Sequence, residues 1–282
     1  MLFRSSWTVN KKATVYTFKL RRGVKWHDGQ PFTSADVKYT FDEVLLKYHS
    51  RTRAAMLSAL AVIYTPDKYT VEFIFKESYG PLLLQLDVTE APIVPAHIYR
   101  GSDPTKNPAN LAPIGTGPFK FGSYTRGAEI VLNKNPNYFK KGKPYLDRVI
   151  MRVIPNSATQ VVAFESGSVD FLWGIPGPER ARLLARKKAF DTLVTRRNPG
   201  GANCMMTVSF NLRRPITSNL GVRQAIFHAL NREAFLRNVI FSEGSVAVSP
   251  FSKGIVWAWG RNLKLPEYST AKANAQIGRA HV

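Results

Sequence analysis

In the stretch "VYTFKLRRGVKWHDGQPFTSADVKYTF", residues 15–41, Tyr16, Phe18 and Leu20 alternate with Thr17 and Lys19. A period of two sends successive side chains to opposite faces, so the spacing predicts a strand with one buried face. Gly23 ends it. Asp28-Gly29 then marks a tight turn, because glycine accepts the positive φ that such turns require. From Thr33 the period lengthens. Thr33 and Asp36 stand as a helix-capping pair, and Val37, Phe41, Val44, Leu45 and Tyr48 fall on one helical stripe.

The same reading carries along the chain. "YTVEFIF" alternates as a half-buried strand, and "PLLLQLD" after Gly80 reads as a short buried helix. "APIVPAHIYRGSDPTKNPANLAPIGTGPF" is dense in Pro, Gly and Asn and predicts a long irregular surface connection. "FKFGSY", "AEIVLNKN" and "RVIMRVI" predict strands, the last two bracketing the loop "PNYFKKGKPYLD". "NSATQVVAFESG" predicts a helix capped by Asn156 or Ser157, with Val161, Val162 and Phe164 among its apolar positions and a stop at Gly167. Beyond it "SVDFLWG" reads as a strand, "PGPERARLLARK" as a helix, "FDTLVTRR" and "MMTVSFNL" as strands. "SNLGVRQAIFHALNREAFLRNVI" predicts two helices with a break at Asn231. Strands interspersed singly with helices imply a mixed α/β fold with non-sequential strand neighbours.

Composition supports a folded chain: 282 residues, 44% hydrophobic and 12% aromatic, are enough for two packed lobes. No window reaches the roughly 18 consecutive apolar residues of a membrane span, and residues 1–10 lack the apolar core of a secretory signal. Cys204 is the single cysteine, which excludes an intrachain disulfide and any CxxC motif. It reads as a small half-buried apolar group. His27, His49, His97, His228 and His281 are scattered without a ligand pattern, so neither a metal nor a cofactor is expected.

The net charge of +21 raises nucleic acid or an anionic surface as the partner of a basic module, the alternative reading of this chain. The basic runs are spread through separate elements, with no aromatic ladder to stack bases, so no nucleic-acid partner is expected. His27 and Asp28, with Arg21, Arg22 and Lys25 nearby, offer the raw material of a catalytic or anion-binding loop. Adjacent residues of an extended segment point apart, which is poor geometry for a His–carboxylate pair. Gly115 and Gly117 in "IGTGPF" invite a phosphate-loop reading, but Pro118 and a strand follow where a helix N-terminus is needed. No nucleophile and base can be nominated, so an enzyme is not expected.

The order of "YTFKLRRGVKWHDGQPFTSADVKYTF", "PIGTGPFKFGSYTRGAEIVLNKNPNYFKKGKPYLDRVIMRVI", "ATQVVAFESGSVDF" and "SFNLRRPITSNLGVRQAIFHALNREAF" resembles the extracellular solute-binding proteins of the peptide and nickel class, family 5, that serve ABC importers. The resemblance runs from Trp7 to about residue 275. It implies an α/β, type II periplasmic-binding-protein-like fold of two lobes that close on a solute, with neither a reaction nor a cofactor. It further implies a periplasmic, monomeric protein whose partners are a small solute, an oligopeptide or similar, and membrane permease subunits.

On the same comparison, residues 1–212 are expected to supply most of the first lobe, including an inserted subdomain at about 30–115, and residues 213–276 the start of an incomplete second lobe. An export signal and the later part of the second lobe are expected to lie outside this sequence, leaving it impaired in binding. Residues 277–282, "IGRAHV", break the expected continuation of the "STAKANA" helix. They match a translation of ATC GGA AGA GCA CAC GTC, a common sequencing-adapter string, and are expected to be a non-native tail.

For the ligand site the candidates are Trp173, Asn203, Cys204, Asn211, Trp257 and Trp259. Trp173, before a Gly-Ile-Pro-Gly-Pro turn, is placed either to stack on a ligand or to pack in the core. Asn203 and Cys204 precede the strand that carries Phe210 and Asn211 toward the second lobe. Asn211 resembles the family's recurrent Asn at that crossover and reads as a backbone-bonding hinge residue. Trp257 and Trp259 in "GIVWAWG" are placed so that one lines the pocket and the other packs.

Overall fold

The computed structural model describes residues 4–87, 90–175, 177–185, 206–242, 244–251, 260 and 262–280, which form two compact units, 1–153 and 154–282. The first unit is built on a four-stranded antiparallel sheet of order β1-β2-β4-β3, with β1 at Arg4–Val9, β2 at Val15–Leu20, β3 at Leu60–Asp67 and β4 at Thr70–Phe75. The alternation in β2 works as expected: Tyr16, Phe18 and Leu20 are buried together with Val71, Phe73 and Phe75 of β4. Phe18 meets Phe73 edge-on with ring centroids 5.7 Å apart, and Phe41 from the covering helix meets Phe73 at 4.9 Å. Such edge-to-face pairs add about 0.5–1.5 kcal/mol each beyond the area they bury.

The covering helix begins at Ser34–Tyr39, passes through a π-helical turn at Thr40–Leu45 and ends at Leu46–Tyr48. Val37, Phe41 and Leu45 are buried, but Tyr48 is 54% exposed, so the predicted stripe fails at its last member. The π turn is the reason: its extra residue rotates everything after it away from the α-helical stripe.

Asp36 is 5% exposed and does more than cap. Thr33 N–H donates to its Oδ2 at 2.8 Å, and Ala96 N–H donates to its Oδ1 at 2.9 Å. One turn on, the Thr40 hydroxyl donates to Asp36 O at 2.7 Å and accepts from Val94 N–H at 3.0 Å. The segment 91–99 is therefore pinned against the helix, with Ala91, Ala96 and Tyr99 buried. This corrects the expected surface connection. Asp36 and Thr40 supply the partners that an irregular buried backbone needs, which lets it leave the surface.

A three-stranded antiparallel sheet of order β5-β6-β7 completes the first unit, with β5 at Phe119–Thr125, β6 at Glu129–Lys134 and β7 at Arg148–Arg152. In the second unit helices span Ser157–Glu165, Gly177–Ala185, Pro215–Ser218, Leu220–Ala229, Arg232–Asn238 and Thr270–Ala280. Asn156 accepts from Thr159 N–H and Asn231 from Ala234 N–H, both at 2.9 Å, so both expected helix starts hold. Gly167, at φ +75°, ends the first helix where an L-residue would be strained.

Of the apolar positions in the helix Ser157–Glu165, Val161 is fully buried and Val162 is 59% exposed. Some expectations fail in this unit. Residues 168–174 and 206–212, read as strands, pair with no strand among the described residues. Alternating polarity marks a segment that fits a sheet surface, but a strand exists only where a neighbour completes its ladder. "FDTLVTRR" lies outside the described residues. The helix from Thr270 continues to Ala280, so "IGRA" extends it instead of breaking it.

Asp36→Ala is expected to lower the unfolding free energy by about 1–3 kcal/mol, since it strands the Ala96 N–H in a buried site. Urea titration reads this directly. A loss indistinguishable from that of an exposed surface carboxylate would refute the pinning role.

Candidate functional site

His27 and Asp28 lie in a turn closed by Trp26 N–H to Gln30 O at 2.8 Å and Gly29 N–H to Trp26 O at 2.9 Å. Gly29 has φ +94°, the conformation that the turn requires of it. The two side chains diverge, as the extended geometry predicts. His27 faces the loop at 115–117: Gly115 N–H donates to its Nδ1 at 3.1 Å, and its Nε2 bonds Gly117 O at 3.1 Å. An amide only donates and a carbonyl only accepts, so this geometry selects the neutral ring with its proton on Nε2. Burial holds the His27 imidazole below its ordinary pKa, the Gly117 carbonyl works the other way, and the Lys120 charge adds to the lowering.

Asp28 instead accepts from Gln30 N–H at 3.1 Å and meets His97 Nε2 at 2.6 Å. Burial by itself would raise the Asp28 pKa, but the hydrogen bonds from His97 and Gln30 outweigh it and hold the carboxyl below its usual value. The loop is thus a brace between two segments, and it aims no nucleophile–base pair at a cavity. The basic cluster is spread in the same way: the Arg21 guanidinium lies 5.4 Å from the Phe139 ring and that of Arg22 lies 5.3 Å from the Tyr69 ring.

Two grooves lie among the described residues of the first unit. One, of about 510 Å³, is lined by Lys38, Tyr39, Asp42, Arg100, Ser102 and Asp103 among others. Its charges are engaged locally: Lys38 pairs with Asp42 at 2.8 Å, and Arg100 stacks over Tyr39 at 5.8 Å. The other, of about 580 Å³, runs along Lys47, Tyr48, Arg53 and Leu57. Neither contains a residue nominated for the ligand site, although Tyr48 of the helical stripe lines both. Among the described residues no cluster of His, Cys, Asp and Glu is arranged to hold a metal, and no helix is long and apolar enough to cross a membrane.

Of the predicted ligand residues, Trp173 is 87% exposed. Its ring lies 6.3 Å from that of Phe171, itself 68% exposed, at an interplanar angle of 48°. Phe171 was missed by sequence reasoning. Its signal was the spacing in "DFLWG", two aromatics two residues apart just ahead of a glycine-proline turn. Asn211 is occupied within its own turn: its Oδ1 accepts from Arg213 N–H at 3.1 Å, and its carbonyl accepts from Arg214 N–H at 3.1 Å and the Thr217 hydroxyl at 2.5 Å. Asn203, Cys204, Trp257 and Trp259 lie outside the described residues. Trp173 is thus brought against an aromatic partner, while Asn211 organises the entry to the helix Pro215–Ser218.

A profile of the bacterial extracellular solute-binding proteins, family 5 Middle, matches residues 1–280. The chain belongs to this family. Within family 5, it is 31% identical over 274 residues to the oligopeptide-binding protein AppA of Bacillus subtilis, covering 94% of this chain and 48% of that protein. Among solved structures it resembles AgaA of A. tumefaciens R10 in complex with agropinic acid, at 31% identity and a TM-score of 0.81, covering 99% of this chain and 55% of that one. It also resembles the ABC transporter-associated periplasmic binding protein DppA of Helicobacter pylori in complex with the peptide STSA, at 26% identity and a TM-score of 0.80, over 99% and 56% of the two chains. This family 5 chain spans about half the length of the relatives it matches. Its mixed helix and sheet architecture is that of a type II periplasmic binding protein.

The lowered Asp28 pKa fixes a sign. Its contribution to stability is complete above the ordinary value of 3.8 and disappears as pH falls through the lower folded value. Asp28→Asn is expected to lose less than about 1 kcal/mol at neutral pH, the range of a partly exposed pair, and to show a shallower acid limb. Urea midpoints across the acid range check both; an unchanged acid limb would contradict the assignment.

Proposed function

We propose that this chain forms part of the substrate-binding component of an ABC importer, which captures a peptide-like or other small solute in the periplasm and presents it to membrane permease subunits. Membership of the family supports the class, and the observation that carries the site is the exposed aromatic pair Phe171–Trp173. A tryptophan left 87% in solvent, stacked only loosely on a second exposed ring, is a platform in search of a flat or apolar surface. Peptide bonds and aromatic side chains both offer one. Two of the solved relatives hold agropinic acid and the peptide STSA.

In this reading residues 1–212 belong to the first lobe and residues 213–276 open the second. Trp173 supplies stacking area, Phe171 fixes its tilt, and Asn211 shapes the crossover without touching solute. Binding, closure and release are the whole task, so the protein acts as a monomeric carrier with no bond made or broken.

Calorimetric titration with short peptides and opines tests this, with tryptophan fluorescence as the second readout. Trp173→Ala is expected to weaken solute binding at least about tenfold, equal to roughly 1.4 kcal/mol, with little dependence on salt. Affinity unchanged by that substitution would remove Trp173 from the site. Tighter, steeply salt-dependent binding of an oligonucleotide than of any solute would favour the basic-module alternative instead.

A further inference from the structure

The His27 brace joins the two sheets of the first unit. On one side is the turn at 26–30, which follows β2; on the other is the loop at 115–117, which feeds directly into β5. The two segments are also tied by His27 N–H to Gly115 O at 2.8 Å and by Lys120 Nζ to His27 O at 2.8 Å. Asn135, 3% exposed at the end of β6, donates from Nδ2 to Gly117 O at 3.0 Å and from its backbone N–H to Pro118 O at 2.8 Å. Among these ties only the bonds through the imidazole ring depend on a proton that moves near neutral pH.

We propose that the His27 imidazole is an acid-released latch between the two sheets, closed while the ring is neutral and loosened when it takes up a proton. The chemistry is a donor count. Neutral His27 offers a lone pair at Nδ1 to the Gly115 N–H and a proton at Nε2 to the Gly117 carbonyl. The imidazolium carries a hydrogen on both nitrogens, so Nδ1–H would face Gly115 N–H across 3.1 Å, donor against donor. One of them must withdraw. The Nε2–H bond to Gly117 O survives protonation and holds the ring, so the Gly115 N–H is the partner that gives.

The charged groups around the ring do not rescue the closed state. Lys120 on β5 opposes a second positive charge. Asp28, next in the chain, favours it, but that carboxylate is engaged by His97 at 2.6 Å. Burial comes first among the causes that disfavour the charged ring. The sign follows: the latch contributes fully above the ordinary histidine value of 6.5 and is lost as pH falls through the lower folded value. The Asn135 and Lys120 ties persist, so acid loosens the Gly115 corner without separating the sheets.

Hydrogen exchange at the Gly115 amide, read by NMR on the full chain and corrected for intrinsic rates, tests the latch. Between about pH 7.5 and pH 5 its protection is expected to fall at least about tenfold relative to the Phe73 amide in β4. In His27→Asn the ratio is expected to be flat with pH, while in His97→Gln the fall should survive, which separates the latch from the Asp28–His97 pair. Constant protection in the native chain, or an undiminished fall in His27→Asn, overturns the proposal. Should His27→Asn fail to fold, the imidazole nitrogen shifts of the native chain decide instead: Nε2–H neutral at pH 7 supports the latch, and a charged ring or the Nδ1–H tautomer sinks it.

Discussion

The first unit depends on the carboxylate of Asp36. A segment cannot be buried unless its backbone amides find acceptors, and Val94 precedes, while Ala96 opens, the short helix Ala96–Tyr99, whose first amides have no acceptor within it. Asp36 and Thr40, one turn apart on the same helix, accept from Ala96 and Val94 while Asp36 also closes its own helix start. The same residues thereby fix the helix over the sheet, since Phe41, the neighbour of Thr40, is wholly buried against Phe73. Capping, burial and chain routing are met by one polar pair beside a largely apolar core. An apolar residue at 36 would fill the volume and leave the routing unsolved.

The second joint is built differently. At 115–118 the chain must leave that packed layer and start β5, and Gly115 and Gly117 allow backbone to approach the His27 ring and the Asn135 amide closely. The Gly-x-Gly spacing that suggested a phosphate cradle serves this approach. Its amide and carbonyl are taken up by His27 and Asn135, which leaves that loop a poor place to receive an anion. The apparent reactive cluster His27–Asp28 is resolved by the same geometry, because each side chain is committed to a different neighbour.

How much of this was legible follows from what each signal depends on. Tyr16, Phe18 and Leu20 announce β2 because alternation is local, and Asn156 and Asn231 announce helix starts because an N-cap acts within three residues. Tyr48 was misplaced because a π turn leaves no mark on an α-helical stripe. β1 and β3 went unread: β1 is an edge strand, and β3 shows a buried, exposed, exposed, buried pattern at its start with a register shift, so neither alternates cleanly. Residues 168–174 erred in the opposite sense, since alternation there is real but no partner strand accompanies it among the described residues. The burial of 91–99 depends on contacts some sixty residues away in sequence, from Asp36 to Ala96, and no local pattern encodes them. For the candidate site, the turn after Trp173 leaves both stacking and packing open, and its contact with Phe171 needs the rings in space.

The charge of +21 acts through distance more than through contact. Where arginines and lysines are placed, they are spent locally: Arg21 on Phe139, Arg22 on Tyr69, Lys143 on Tyr145, Lys134 on Asp147. Aromatic stacking buries the guanidinium plane on one side and leaves its charge in solvent, so these residues keep their field while losing the freedom to converge on an anion. A diffuse positive field of this kind raises the encounter rate with anionic solutes and is screened within about 8 Å at physiological salt. It cannot discriminate among them. On the function proposed above, selectivity would rest on shape and stacking at a site such as Phe171–Trp173, with the sign of the charge biasing which solutes arrive.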